Sequence, residues 1–159
     1  MGAAYFYHLT RSGLDGTLAT LLAKSREAGW RVAVRGRSEA LLTRLDEALW
    51  AHPADGFLPH AVAGGAHDAA QPILLTTGTA TPNDPACLIS VEGANITADE
   101  VAAMARVCIV FDGQDAGAVQ TAREQWKLLT TAGVAAIYWS EETGKWALKA
   151  ESGKPVVPS

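Results

Sequence analysis

The chain is poor in several features that would narrow its function at once. It has 2 cysteines in 159 residues, Cys87 and Cys108, each inside an apolar run (ACLISV and VCIVF) and neither with a second cysteine nearby. That excludes a disulfide framework and the compact zinc patterns, and both thiols read as small buried hydrophobes. The histidines, His8, His52, His60 and His67, fall at no metal-binding spacing and read as loop or strand residues. Charge is scarce: 19% of residues are charged, 13 basic against 17 acidic, giving a net charge of −4 and a pI near 5.5. A broad basic footprint for nucleic acid is therefore missing, and any anion-binding surface must be local. No apolar run reaches the ~18 residues that a membrane span needs. MGAAYFYHLTRSG has no charged segment leading into a long apolar core and does not read as a signal peptide. The expected setting is cytoplasmic, without membrane contact.

Catalytic and cofactor motifs are also missing. RSGLDGTL follows the first apolar run, but Gly13 and Gly16 do not have the G-x-G-x-x-G spacing that lets backbone approach a pyrophosphate. They read as a turn glycine and an early helix glycine. There is no G-x-x-x-x-G-K-[ST] and no G-x-S-x-G. Nothing in the sequence assembles a nucleophile, a base and an oxyanion site. Asn95 to Thr97 match a glycosylation acceptor, yet Thr97 serves better as a helix cap. The expectation is a protein with no cofactor, no metal and no catalytic residue.

What is present is a regular alternation of strand and helix signals. AAYFYHL reads as a strand. Leu14, Leu18, Leu21 and Leu22 then recur at helical spacing, with Gly29 as a stop. WRVAVRG is a β-branched strand. Ser38 can cap the next helix, lined on one face by Leu41, Leu42, Leu45, Ala48 and Leu49. Pro53 and Pro59 forbid helix, and the segment reads as loop to about Pro72. ILLTT, ACLISV, RVCIVFDG and VAAIYWS have strand length, and RVCIVFDG reads as a strand buried on both faces. TADEVAAMA is a short helix, and a longer one spans about Gln114 to Ala132, closed by Gly133. GKWALKA reads as an edge strand. The pattern predicts an α/β fold with a largely parallel sheet: one domain over residues 1–150 and a disordered tail over 151–159.

Two aromatic positions stand out. RLDEALWAHPADGFLPH carries Trp50 at a helix end and Phe57 in a loop that cannot be helical. In VQTAREQWKLLTTAG, Ala118, Ala122 and Leu129 centre the apolar stripe, with Val119 and Trp126 at its edge. Arg123 precedes Trp126 by one turn, so an aromatic ring and a cation are neighbours beside the core-facing stripe. Such a pair can bind an apolar group and an anion together. On composition alone Trp50 reads more readily as a partly buried core residue and Arg123 as a member of a solvated face, while Phe57 reads evenly as a loop anchor or part of an exposed patch.

RLDEALWAHPADGFLPH resembles the signature of the DNA polymerase III chi subunit family: a leucine-rich helix, D-E-A-L-W, a proline-containing loop and F-x-P-H. The aromatic first strand, A-R-E-x-W-K at Ala122 to Lys127, and the close at Ala132 and Gly133 agree with it, in one colinear order along essentially the whole chain. The resemblance implies a Rossmann-like three-layer sandwich without a nucleotide-binding glycine loop. It implies a non-enzymatic accessory subunit, a monomer on its own, that links the clamp-loader assembly to single-stranded DNA-binding protein. The link is made by holding that protein's acidic C-terminal tail, which ends in an aromatic residue and a free carboxylate. The psi subunit is the second partner it implies. By position, Trp50 and Phe57 match the family's pocket aromatics. Arg123 and Lys127 match its basic residues, and Trp126 stands where it often has another aromatic. Asp112 falls, without a gap, where the family often has an apolar pocket residue.

Two readings compete with this one. A Rossmann-like enzyme binding a small molecule or nucleotide would need the missing glycine loop. Direct binding of single-stranded DNA through exposed aromatics is opposed by the acidic pI and the sparse basic residues around Trp50.

Overall fold

The computed structural model describes residues 2–10, 13–50, 60–140 and 147–152. Phe57 lies outside them. The elements, in order, are β1 (Ala4–Leu9), α1 (Leu14–Glu27), β2 (Val32–Arg35), α2 (Glu39–Trp50), β3 (Ala61–Val62), β4 (Ile73–Thr76), β5 (Cys87–Ser90), α3 (Ala98–Ala103), β6 (Arg106–Asp112), α4 (Ala116–Thr131), β7 (Ala136–Ser140) and β8 (Ala147–Ser152). The strands form one eight-stranded sheet in the order β3-β4-β2-β5-β6-β1-β7-β8. Every pairing is parallel except β7 with β8.

Alternation along the strands builds a core on each face. Val32, Val34, Cys87, Ile89, Cys108 and Val110 point to one face, where Leu18 and Leu22 of α1 and Leu42, Leu45 and Leu49 of α2 cover them. Phe6, Leu88, Val107, Ile109 and Phe111 point to the other face, under Val101 of α3 and Ala122 and Leu129 of α4. A parallel sheet buried on both faces explains why RVCIVF is a continuous apolar run. The expected three-layer α/β sandwich is the observed one.

Helix ends follow their local chemistry. Gly29 takes φ +82° after α1 and Gly133 takes φ +90° after α4, a left-handed geometry that costs glycine least. Each is followed by a hydrogen bond back into the last turn, from Trp30 N–H to the Ser25 carbonyl (3.0 Å) and from Val134 N–H to the Leu129 carbonyl (3.0 Å). Ser38 caps α2, accepting from the Leu41 N–H at 3.2 Å. Thr97 and Glu100 form a reciprocal capping box at α3.

Three boundaries differ from the sequence expectation. The stretch from Pro53 to Pro72 is not loop throughout: residues 61–62 add a parallel edge strand beside β4, and a short 3-10 turn covers Asp68–Ala70. The long helix begins at Ala116, because Asp115 accepts from the Gly117 and Ala118 N–H groups and sets the start there. Strand β8 runs to Ser152, two residues into the stretch read as tail. The rest of that stretch lies outside the described residues.

Candidate functional site

Helix α4 lies over β6 and β7, and its buried line is Ala122, Gln125 and Leu129. Gln125 is a polar member that periodicity missed. Its amide donates to the Ala94 carbonyl at 3.0 Å and ties the helix to the loop after β5. Beside this line, toward β7, stand Val119, Trp126 and Thr130, all half-buried.

Trp126 meets an aromatic cluster that the sheet assembles. Its ring packs edge-on against Phe6 (centroids 5.2 Å apart) and Tyr138 (5.9 Å). Register explains the cluster: parallel pairing sets Phe6 beside Tyr138, and His8 beside Phe111. His8 and Phe111 rings are 5.0 Å apart, and the His8 Nδ1 and Tyr138 hydroxyl share a hydrogen bond. Gly113 closes over His8 so tightly that a Cβ there would stand 2.0 Å from the imidazole. The result is an aromatic shelf between α4 and β7.

Arg123 and Lys127 are exposed one turn apart on α4, both on the solvent-facing side of Trp126. Neither forms an ion pair with a carboxylate among the described residues. Shelf and cations together offer a ring-sized apolar surface and charged donors for a carboxylate. Sequence reasoning placed Arg123, Trp126 and Lys127 here but missed His8, Phe111 and Tyr138.

Trp50 is elsewhere. It ends α2, on the opposite face of the sheet, at the β3 edge. It is 50% exposed and packs against His60 with the rings tilted and their centroids 4.3 Å apart. His60 is buried and held by Asp46, whose carboxylate lies 3.1 Å from its Nε2. The structure therefore does not bring Trp50 together with Arg123 and Trp126 in one pocket: the sheet separates them.

Asp112 does not intrude on the shelf either. It ends β6 with the alternation opposite to Phe111, and its Oδ1 accepts from the Gln114 N–H at 2.9 Å. Phe111 is the β6 side chain that faces α4.

At the carboxyl ends of the strands, helix N-termini commonly receive phosphates in folds of this class. Here α4's first amides are taken by Asp115. Before α2, Glu92 accepts from the Arg37 N–H (2.7 Å), the Ser38 N–H (2.8 Å) and the Ser38 hydroxyl (2.9 Å). Partial burial alone would raise the Glu92 carboxyl, but these donors hold it below its ordinary range.

The family described as "DNA polymerase III chi subunit, HolC" matches residues 1–136. A curated relative, DNA polymerase III subunit chi of Escherichia coli (strain K12), is 40% identical over 53 residues, which is 33% of this chain. That alignment spans 36% of the relative's own length.

Proposed function

This chain belongs to the DNA polymerase III chi subunit family, and from that premise we propose that it is a non-catalytic replication accessory subunit that holds the C-terminal tail of single-stranded DNA-binding protein. The tail's last aromatic side chain seats on the shelf of Trp126, Tyr138 and His8. Its carboxylates meet Arg123 and Lys127. By this contact the chain links single-stranded DNA-binding protein to the clamp-loader assembly, with the psi subunit as second partner, in the cytoplasm at the replisome.

One observation carries the reading. Two exposed cations stand on the same helix as Trp126, beside an aromatic shelf, on a chain whose net charge is −4. The overall field repels an acidic tail, so attraction has to come from that local pair. Arginine engages a carboxylate through two parallel hydrogen bonds, and the shelf supplies the apolar anchor. Binding resting on so few anchors is modest and weakens with salt.

The test is a titration of a labelled tail peptide into the full chain and into Arg123→Ala. A loss of about 1 to 3 kcal/mol is expected; unchanged affinity would remove Arg123 from the site. A nucleotide-binding enzyme is the weaker reading: Glu92 and Asp115 occupy the amides before α2 and at the start of α4, and the turn into α1 lacks the glycine spacing that a pyrophosphate needs. A saturable thermal shift with NAD, ATP or a flavin would revive it.

A further inference from the structure

The two faces of the sheet are not equally covered. On the α4 side, α4 reaches β7. On the other side α1 packs against β6 and α2, and the surface of β1 and β7 beyond it carries no helix among the described residues. The side chains left there are large and half-buried: Tyr5 and Tyr7 of β1, Ile137 and Trp139 of β7. Leu148 of β8 pairs with Trp139 and is 46% exposed, which extends the same surface.

Between this surface and α1 runs a trough of about 830 Å³. Its lining extends along α1 from Gly13 to Ala28, about 22 Å at the helical rise of 1.5 Å per residue. The aromatic wall is Tyr5, Tyr7, Trp30 and Trp139, and among the described residues the charged lining is Lys24 and Arg106, both basic. The Arg106 guanidinium lies 4.3 Å from the centre of the Tyr5 ring and 5.7 Å from that of Trp30, and it has no carboxylate partner among the described residues.

We propose that this trough is a docking site for an acidic amphipathic helix of a partner protein. Three features select that occupant. The wall needs apolar side chains spread over a length that suits about four helical turns. The floor strands β1, β6 and β7 are already paired on both sides, so an extended peptide would find no free sheet edge there, whereas a helix satisfies its own backbone. Among the described residues of the lining, Lys24 and Arg106 are cations without a counter-charge, and a glutamate or aspartate on the incoming helix supplies it. The site is independent of the α4 shelf and lies across the sheet from it.

The probe is a synthetic helical peptide of about 18 residues with leucines at i, i+3, i+4 and i+7 and flanking glutamates, against a twin with lysines for the glutamates. Each is titrated into the full chain, read by peptide anisotropy and by the fluorescence of Trp30 and Trp139. Saturable binding of the glutamate peptide, at least about tenfold tighter than its twin, is expected. Arg106→Glu and Trp139→Ala should each weaken it by about tenfold, while Arg123→Glu changes it less than about twofold. Arg106→Gln, with circular dichroism on every variant, separates lost binding from lost folding. Equal binding of both peptides, no saturation by about 1 mM, or loss through Arg123→Glu would overturn the proposal. So would a sedimentation mass that rises to a dimer and falls back with Arg106→Glu, which would assign the trough to a second copy of the chain.

Discussion

Trp50 and Trp126 stand on opposite sides of one sheet, the first beside His60 at the β3 edge and the second against Phe6 and Tyr138. Two residues with a shared expected role thus cannot line one small pocket. Trp126→Ala removes the shelf's outer wall and is expected to weaken the tail peptide by about 1 to 3 kcal/mol. Trp50→Ala should change it by less than about twofold, because distant sites act independently. Comparable losses in both variants, measured by calorimetric titration, would contradict this division.

A second prediction concerns Arg35. Its side chain is 3% exposed and bonds both Glu100 carboxylate oxygens, at 3.0 and 2.7 Å. It also donates to the carbonyls of Gly78 (3.1 Å), Thr79 (3.1 Å) and Asn95 (3.0 Å). One guanidinium thereby fixes two loops and the start of α3. Arg35→Met takes the guanidinium donors from three carbonyls and from Glu100, which keeps only its Thr97 bonds, and should cost roughly 3 to 5 kcal/mol in urea unfolding. A loss below about 1 kcal/mol would show that water replaces it.

The same pair sets a pH dependence. Burial raises the Glu100 carboxyl, but the hydrogen bonds from Arg35 and Thr97 outweigh it and hold the group below its ordinary 4.5. The folded chain therefore favours the ionised form. The contribution is complete above the unfolded value and is lost as pH falls through the lower, folded one. The stability gap between the natural chain and Glu100→Gln should narrow as pH drops below that ordinary value. A gap that stays constant from neutral pH to pH ~3 would contradict the assignment.

Gly113 offers a third test of packing. Its N–H donates to the Leu9 carbonyl at 2.6 Å, and an added Cβ would meet the His8 ring. Gly113→Ala forces His8 away from Tyr138 and should cost about 1 to 3 kcal/mol of stability. Because His8 and Tyr138 line the shelf, tail affinity should fall as well. An Ala variant with normal stability would mean the β6–α4 turn yields easily.

The helices were legible because their causes are local. Leucine spacing, Ser38, Thr97, Gly29 and Gly133 mark α1, α2, α3 and α4 within a few residues. Strand β3 was not legible, since Ala61 and Val62 have no pattern of their own and are strand only through pairing with Leu74 and Leu75. At the site, Arg123 and Trp126 were visible as a helical pair. His8, Phe111 and Tyr138 were not, because they meet through the register of three parallel strands distant in sequence. A helical wheel likewise cannot say which face of the sheet a helix will cover. That is why Trp50 was grouped with residues it does not meet.

The most direct measurement is a calorimetric titration of the full chain with the acidic tail peptide of single-stranded DNA-binding protein, with and without its terminal aromatic residue. If the ring seats against Trp126 and Tyr138 and its carboxylate meets Arg123, deleting that one residue weakens binding by at least about tenfold. Equal affinity for the two peptides would contradict a shelf built for a terminal aromatic carboxylate.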